Sequence, residues 1–238
     1  MRSKSRQPKS LKLIRWGYKE MKLAIPEQSV KIPPDGLAGD LVIPDAAEGI
    51  ILFAHGSGSS RHSPRNRRVA NVLNQSGFAT LLLDLLTEAE EQVDLRTGEL
   101  RFDIGLLAER LVEATDWLQR EPSTSGLSIG YFGASTGAGA ALVAAAECPR
   151  VIAAIVSRGG RPDLAGPLLP HVKAPTLLIV GGEDAVVERL NREALEKMRC
   201  PKRLAIVPGA SHLFEEPGAL EEVSGLARNW FEEHVRTG

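Results

Sequence analysis

The sequence predicts a single α/β domain in which helices cover both faces of a mostly parallel sheet. From Met21 onward, short apolar runs alternate with helical stretches, and this alternation is typical of parallel strands joined by crossover helices. Of the 238 residues, 43% are hydrophobic, which is enough for a sizeable core. Neither a repeat nor a low-complexity tract divides the chain. We therefore expect about eight strands in a domain over residues 21–238, preceded by a basic tail or linker over residues 1–20.

Composition narrows the range of partners. The chain has 29 Lys and Arg residues against 30 Asp and Glu residues, so no global field attracts nucleic acid or an anionic membrane. No segment approaches the roughly 20 apolar residues that a membrane span requires. Cys148 and Cys200 lie in no CxxC or Cys/His cluster, so we expect no metal site. With no secretory signal pattern at the start, we expect a cytoplasmic protein.

The first strands are predicted from apolar runs and turn residues. Residues 29–32 and 37–43 flank a Pro/Gly-rich turn and predict an antiparallel hairpin of two edge strands. Residues 50–54 are continuously apolar, which is typical of a strand buried on both faces. Residues 87–98 are acidic and aperiodic, so we expect a surface loop there.

The rest of the chain repeats one rhythm, in which an apolar run is followed by an amphipathic or alanine-rich stretch. The remaining predicted strands are 78–83, 127–132, 151–156, 176–180 and 204–207. The predicted helices are 64–75, 104–118, 136–147, 187–198 and 219–234.

The sharpest motif is the pentapeptide Gly133-Ala134-Ser135-Thr136-Gly137, which lies between an apolar run and an alanine-rich helical stretch. This G-x-S-x-G pattern places a serine on a sharp strand-to-helix turn, where small neighbours avoid clashes and the hydroxyl projects freely. The Thr136 amide would lie at the positive end of the following helix, available to a developing oxyanion. Ser135 is therefore the candidate nucleophile.

A serine nucleophile needs a base and an acid that orients the base, and this type of fold supplies them in the order Ser, acid, His. Asp184 follows strand 176–180, and His212 follows strand 204–207. The carboxyl ends of parallel strands share one edge of a sheet, so these side chains are expected to converge. Glu183 is the alternative acid. Asp184 could instead be a helix N-cap, and we expect it to combine the two roles poorly; His212 could be an ordinary loop histidine.

A glycine-rich turn, His55-Gly56-Ser57-Gly58, follows strand 50–54 and is expected to supply the second oxyanion donor. The Ser57 amide is the candidate donor. For His55 we favour bracing of the loop through backbone hydrogen bonds over catalysis.

Arginines in two loops are candidates for substrate binding, because the guanidinium group recognises carboxylate or phosphate. Arg61 follows the first glycine turn, and Arg158 precedes two glycines that allow close approach of a ligand. For Arg65, Arg67 and Arg68, at a predicted helix start, we expect a solvated rim.

Together these motifs resemble the α/β-hydrolase superfamily, and within it the dienelactone-hydrolase-like branch. Residues 53–61, 131–137, 157–164 and 209–214 are similar to a bacterial subgroup that is sometimes joined to a phosphoribosyltransferase domain. The resemblance implies an α/β-hydrolase fold, with Ser135 as nucleophile, His212 as base and Asp184 as acid. Dienelactone hydrolases themselves carry a cysteine at the nucleophile position. It also implies hydrolysis of an ester or lactone, with a phosphoribosyltransferase as a possible partner.

We therefore expect a serine hydrolase that cleaves a small soluble ester, lactone or thioester through an acyl-enzyme, without a cofactor. The connection over residues 161–173 is too short for a sizeable cap domain, which favours small substrates. One alternative is a hydrolase-fold binding or partner module without catalysis. Another is a dinucleotide-binding oxidoreductase, because Gly137-Ala138-Gly139 opens a predicted helix, although Leu142 stands where that fingerprint needs its third glycine.

Overall fold

A computed structural model describes residues 25–235 of the chain, and the predicted tail over residues 1–20 lies outside the described residues. The strands are β1 Glu27–Ile32, β2 Leu37–Val42, β3 Gly49–Ala54, β4 Phe78–Leu83, β5 Ile129–Ala134, β6 Ile152–Arg158, β7 Thr176–Gly181 and β8 Lys202–Val207. They form one eight-stranded sheet in the order β1-β2-β4-β3-β5-β6-β7-β8.

The sheet is mostly parallel, as predicted. β1 pairs with β2 and β2 pairs with β4 in antiparallel fashion, and every other neighbouring pair is parallel. β1 is an edge strand, but the same prediction for β2 is wrong, because Gly39 to Val42 pair with β4 on the other side. β2 is buried at nearly every position, as expected for a strand inside a sheet.

Six helices and two short 3₁₀ segments complete the described chain. The helices are α1 Pro64–Gln75, α2 Glu88–Thr97, α3 Ile104–Arg120, α4 Thr136–Glu147, α5 Ala185–Lys197 and α6 Ala219–His234. The 3₁₀ segments are Leu100–Phe102 and Pro162–His171, and the latter occupies the connection after β6. Within residues 25–235 this connection carries no cap domain.

Two apolar layers lie on opposite faces of the sheet, and β3 contributes to both. Ile50 and Leu52 pack in the layer that contains α3 and α4, whereas Ile51 and Phe53 pack in the layer that contains α1 and α6. Alternation with a period of two places successive side chains on opposite faces of a strand. This explains why the run in β3 is continuously apolar and completely buried.

α2 occupies the segment predicted as a surface loop, so that prediction is wrong. Asp94 is the only buried residue of the helix, which explains why the segment shows no apolar periodicity. End effects stabilise the helix instead: Thr87 and Glu90 form a reciprocal capping box at its start, and Gly98 ends it in a left-handed conformation. Asp94 also accepts a hydrogen bond from Arg101 Nε at 2.6 Å. The Thr-x-x-Glu spacing and the glycine were the available sequence signals.

Candidate active site

Ser135 lies at a strained turn between β5 and α4, as the pentapeptide predicts. Its φ of 50° and ψ of −121° lie in a region that non-glycine residues rarely adopt. The turn is closed by tight packing, because a Cβ at Gly133 would overlap Ala138 and a Cβ at Gly137 would overlap the carbonyl oxygens of Ala54 and His55. The glycines therefore permit the backbone approach that exposes the serine.

The last residue of β6 and the loop after it hold this turn from the other side. The Ser135 amide donates to the Arg158 carbonyl oxygen at 3.2 Å, and the Arg161 amide donates to the Ser135 carbonyl oxygen at 3.1 Å. The strained residue is thus hydrogen-bonded at both of its backbone groups. A strained backbone conformation persists in a folded protein when surrounding contacts of this kind fix it.

His212 and Asp184 form a short hydrogen bond at the ends of neighbouring strands. His212 Nδ1 lies 2.6 Å from Asp184 Oδ2, and the other carboxylate oxygen of Asp184 accepts a hydrogen bond from the Val187 amide at 3.3 Å. Asp184 therefore orients the imidazole and caps α5 with different oxygens, so the expectation that it would combine these roles poorly is wrong. Glu183 is exposed and does not contact His212.

Ser135 and His212 line one cavity of about 250 Å³, which we call the serine cavity. Its lining residues are Gly56, Ser57, Ser59, Ser63, Arg65, Asn66, Ala134, Ser135, Arg158, His212 and Leu213. Among residues 25–235, no hydrogen bond joins the Ser135 hydroxyl to the imidazole of His212. Catalytic hydrogen bonds are often long in a free enzyme and tighten when substrate binds.

The two candidate oxyanion donors lie beside Ser135. Gly56 passes directly over it, since a Cβ added at Gly56 would lie 3.0 Å from Ser135 Cβ. The Ser57 amide donates to Thr136 Oγ1 at 2.8 Å, so it already has an acceptor. The Thr136 amide occupies the first position of α4, where a backbone N–H has no partner within the helix.

His55 braces the loop, as expected. The Leu85 amide donates to His55 Nε2 at 3.2 Å, which leaves the proton on Nδ1, and Nδ1 donates to the Gly56 carbonyl oxygen at 2.9 Å. Burial lowers the pKa of His55 below its usual value of 6.5, against the opposing effect of the Gly56 hydrogen bond. A neutral imidazole satisfies both of these bonds.

A second cavity, of about 170 Å³, lies on the other side of residues 56–59. We call it the leucine cavity, because four leucines line it: Leu85, Leu86, Leu95 and Leu107. It reaches Thr136, and α2 forms one of its walls. No sequence pattern indicated this cavity, since the segment of α2 shows no apolar periodicity and was expected to be a loop.

The two arginines proposed for substrate binding have different environments. Arg61 lines neither cavity, and its guanidinium forms ion pairs with Asp84 and Asp40. Arg158 lines the serine cavity and is buried. The geometry therefore brings Arg158, and not Arg61, to the site.

The arginines expected on a solvated rim also differ from one another. Arg67 pairs with Asp40 and Arg68 pairs with Glu221, away from both cavities. Arg65 pairs with Glu215 and also lines the serine cavity. Neighbouring positions on one helix thus have different roles, because only some of them face the cavity.

Comparisons with known proteins agree with this architecture. The model of the dienelactone hydrolase family matches residues 37–233. A crystal structure of a dienelactone hydrolase from Anabaena variabilis is 65% identical and has a TM-score of 0.86, covering 89% of this chain and 98% of that chain. Est1E from Butyrivibrio proteoclasticus shares the fold at 14% identity, with a TM-score of 0.72 over 87% of this chain and 98% of that chain.

A longer relative was found in Mycobacterium tuberculosis, where a protein named as a phosphoribosyl transferase is 59% identical over 210 residues. The match covers 88% of this chain and 46% of that protein. The chain thus spans about half the length of the curated relatives it matches. Over residues 25–235, no helix has the length and apolar character that a membrane crossing requires.

Proposed function

Because the chain belongs to the dienelactone hydrolase family, we propose that it hydrolyses small soluble esters, lactones or thioesters through an acyl-enzyme on Ser135. The main support is the 2.6 Å contact between His212 Nδ1 and Asp184 Oδ2, at the cavity that Ser135 also lines. A nucleophile beside a base that is oriented by a carboxylate is the usual arrangement for acyl transfer.

In the proposed first step, the Ser135 oxygen attacks the substrate carbonyl while His212 Nε2 accepts the hydroxyl proton. Asp184 stabilises the resulting imidazolium through Nδ1. His212 then donates the proton to the leaving oxygen or sulfur, and the bond to the leaving group breaks. Water, deprotonated by the same imidazole, releases the acyl group and restores the serine.

The Thr136 and Ser57 amides are the proposed donors to the tetrahedral oxyanion. For Ser57 this requires the N–H to exchange its acceptor, Thr136 Oγ1, for the oxyanion. Donors of this kind act most strongly when they are fixed before the charge develops.

Small substrates are proposed because both cavities are modest, at about 250 and 170 Å³, below the roughly 300–1,000 Å³ typical of sites for larger ligands. The proposed chemistry needs no cofactor. A phosphoribosyltransferase partner, implied by the resemblance, stays a prediction.

The test is hydrolysis of p-nitrophenyl acetate by the protein and its Ser135→Ala variant. We expect kcat/KM to fall by about 10³-fold or more in the variant. The matched control is Ser125→Ala, an exposed serine in the turn after α3, which should leave the rate unchanged. Equal rates for Ser135→Ala and the unaltered protein would refute the assignment.

A fluorophosphonate probe separates this proposal from a hydrolase-fold binding module without catalysis. An activated serine forms a covalent adduct with the probe, whereas an inert scaffold does not react. Labelling that maps to Ser135 and disappears in Ser135→Ala supports the enzyme, and its absence in the unaltered protein favours the binding module.

A further inference from the structure

Arg158 is a buried cation with few partners. Only 7% of the residue is exposed, and neither Nε nor Nη1 has a hydrogen-bond partner. Nη2 donates to Asn66 Oδ1 at a long 3.4 Å, and the guanidinium carbon lies 6.0 Å from the centre of the Phe214 ring, near the outer limit for a cation–π contact. The charge is therefore poorly compensated by the protein.

A second buried arginine of this protein shows the usual pairing of a buried cation with carboxylates. Arg110 is equally buried, at 7% exposure, but it pairs with three carboxylates, those of Asp35, Glu90 and Glu113. Burying an unpaired cation is costly, and burial together with the nearby Arg65 lowers the pKa of Arg158 to about 10. At neutral pH the group is still charged, so a ligand anion would supply the missing partner.

The serine cavity suits an anion in other ways. Among its described lining residues there is no carboxylate, while the first turn of α1, with Ser63 and Asn66, faces it. Arg65 also lines it, with Nη1 paired to the exposed Glu215 at 3.1 Å. Pro64 has no N–H, and the Asn66 amide donates to Ser63 Oγ at 3.4 Å. The Arg65 amide is therefore the donor in this turn that a phosphate or similar anion could use.

By contrast, Asp84, Glu91 and Asp94 line the leucine cavity. Its one arginine, Arg101, is paired with Asp94 at 2.6 Å. The charges thus favour an anion in the serine cavity, and the four leucines favour the apolar part of a substrate in the leucine cavity.

The position of His212 fixes which part of the substrate carries the anion. The imidazole must protonate the leaving oxygen, so the leaving alcohol lies against His212. His212 and Arg158 line the same cavity, and Arg158 pairs in register with Ala134, the residue before the nucleophile. The leucine cavity instead reaches Thr136, on the oxyanion side of the serine. The acyl part would extend toward that side.

We propose that the serine cavity binds a phosphate monoester carried on the leaving alcohol of the substrate, through Arg158, Arg65 and the first turn of α1. This inference rests on the proposed function and names its substrate class: short apolar acyl esters of phosphorylated alcohols. Ser135 forms a bond to the acyl carbon, the bond from that carbon to the alcohol oxygen breaks, and the alcohol leaves with the proton that His212 took from Ser135. Water then converts the acyl-enzyme to a carboxylic acid and free Ser135.

Three acetate esters test the proposal: 2-acetoxyethyl phosphate, 3-acetoxypropanoate and the neutral 2-methoxyethyl acetate. We expect kcat/KM to be highest for the phosphate ester, and its ratio to the neutral ester to fall by about 10- to 100-fold in Arg158→Met. The control is Arg68→Gln, which removes an exposed arginine of α1 that does not line the serine cavity. This change should leave the ratio unchanged. A ratio that Arg158→Met does not lower would overturn the proposal, and a carboxylate ester that equals the phosphate ester would overturn the choice of phosphate.

A second pair of substrates checks which side carries the anion. Monoethyl succinate and ethyl butanoate differ in charge on the acyl side only, so we expect no preference that depends on Arg158. A strong preference for the succinate that disappears in Arg158→Met would overturn the assignment to the leaving alcohol.

Inorganic phosphate provides a readout that does not depend on turnover of the esters. We expect phosphate to inhibit p-nitrophenyl acetate hydrolysis competitively, and Arg158→Lys, which keeps the charge but loses the planar fork, to weaken that inhibition. This variant also serves if Arg158→Met fails to fold. Hydrolysis that depends on Ser135 but shows neither phosphate inhibition nor ester preference would overturn the inference and leave the proposed function standing. Absence of any hydrolysis that depends on Ser135 would overturn both.

Discussion

Asp184→Asn separates the two roles that the structure gives to one carboxylate. One oxygen accepts from His212 Nδ1 at 2.6 Å, and the other accepts from the Val187 amide at the start of α5. Asparagine is as good an N-cap as aspartate, so the helix should keep its cap. The negative charge that stabilises the imidazolium in the proposed mechanism is lost.

The expected size follows from the partly exposed position of this pair, whose side chains are 38% exposed for His212 and 15% for Asp184. For charges about 4 Å apart near a protein surface, the interaction is about 4 kcal/mol. If most of it develops in the transition state, kcat should fall by about 10³-fold. The free energy of unfolding should change by less than about 0.5 kcal/mol, since the cap is conserved.

Two further variants complete the measurement. Asp184→Ala should lose the same activity and also about 1 kcal/mol of stability from the missing cap, seen as a fall in Tm of about 2–4 °C. Glu183→Gln, the neighbouring exposed carboxylate, should change neither quantity. Esterase kinetics and urea unfolding of all three variants provide the test. A loss of activity below tenfold in Asp184→Asn, or an equal loss in Glu183→Gln, would refute this account of the pair.

Two other predictions concern residues that support the turn at Ser135. Gly137→Ala should destabilise the fold by about 1–3 kcal/mol in urea unfolding, because the new methyl group would overlap the Ala54 and His55 carbonyl oxygens. The control is Gly225→Ala in α6, where nothing lies within 4 Å of a new Cβ, and it should stabilise the fold by about 0.5–1 kcal/mol. Equal effects of the two substitutions would contradict the packing argument. His55 has a lowered pKa in the folded state, so below pH 6.5 the unfolded chain binds more protons and stability is lost as the pH falls toward the folded pKa. The stability difference between the protein and His55→Gln should therefore shrink from pH 7.5 to pH 5.5. A difference independent of pH would show that the imidazole has the same pKa in the folded and unfolded states, and would refute the lowered pKa.

Local patterns predicted most of the scaffold because each strand and helix carried its own signal. β3 was identifiable because its residues are buried on both faces, and α4 because small residues let it approach the sheet closely. Ser135 was identifiable from its pentapeptide. Asp184 and His212 were identifiable because they follow later strands, and the carboxyl ends of parallel strands meet at one edge.

The failures arose where long-range contacts or helix ends decide the outcome. Nothing in the residues of β2 indicates that β4 pairs with its far side. α2 depends on its caps and on Arg101, so periodicity could not find it. The difference between Arg61 and Arg158 depends on where distant carboxylates fold, since Asp84 and Asp40 pair with Arg61 while no carboxylate among the described residues pairs with Arg158.

The way α2 is anchored has a consequence for the diversity of this fold. The helix forms a wall of the leucine cavity, yet it buries only Asp94 and is held by its capping box, Gly98, the contact with Arg101 and the ion pair between Glu90 and Arg110. Residues along its inner side, such as Leu95, can therefore be exchanged without disturbing the sheet or the layers packed against it. Under the proposed function, this would place substrate range and folding stability in largely separate parts of the chain, so laboratory evolution of acyl selectivity should find tolerant positions here first.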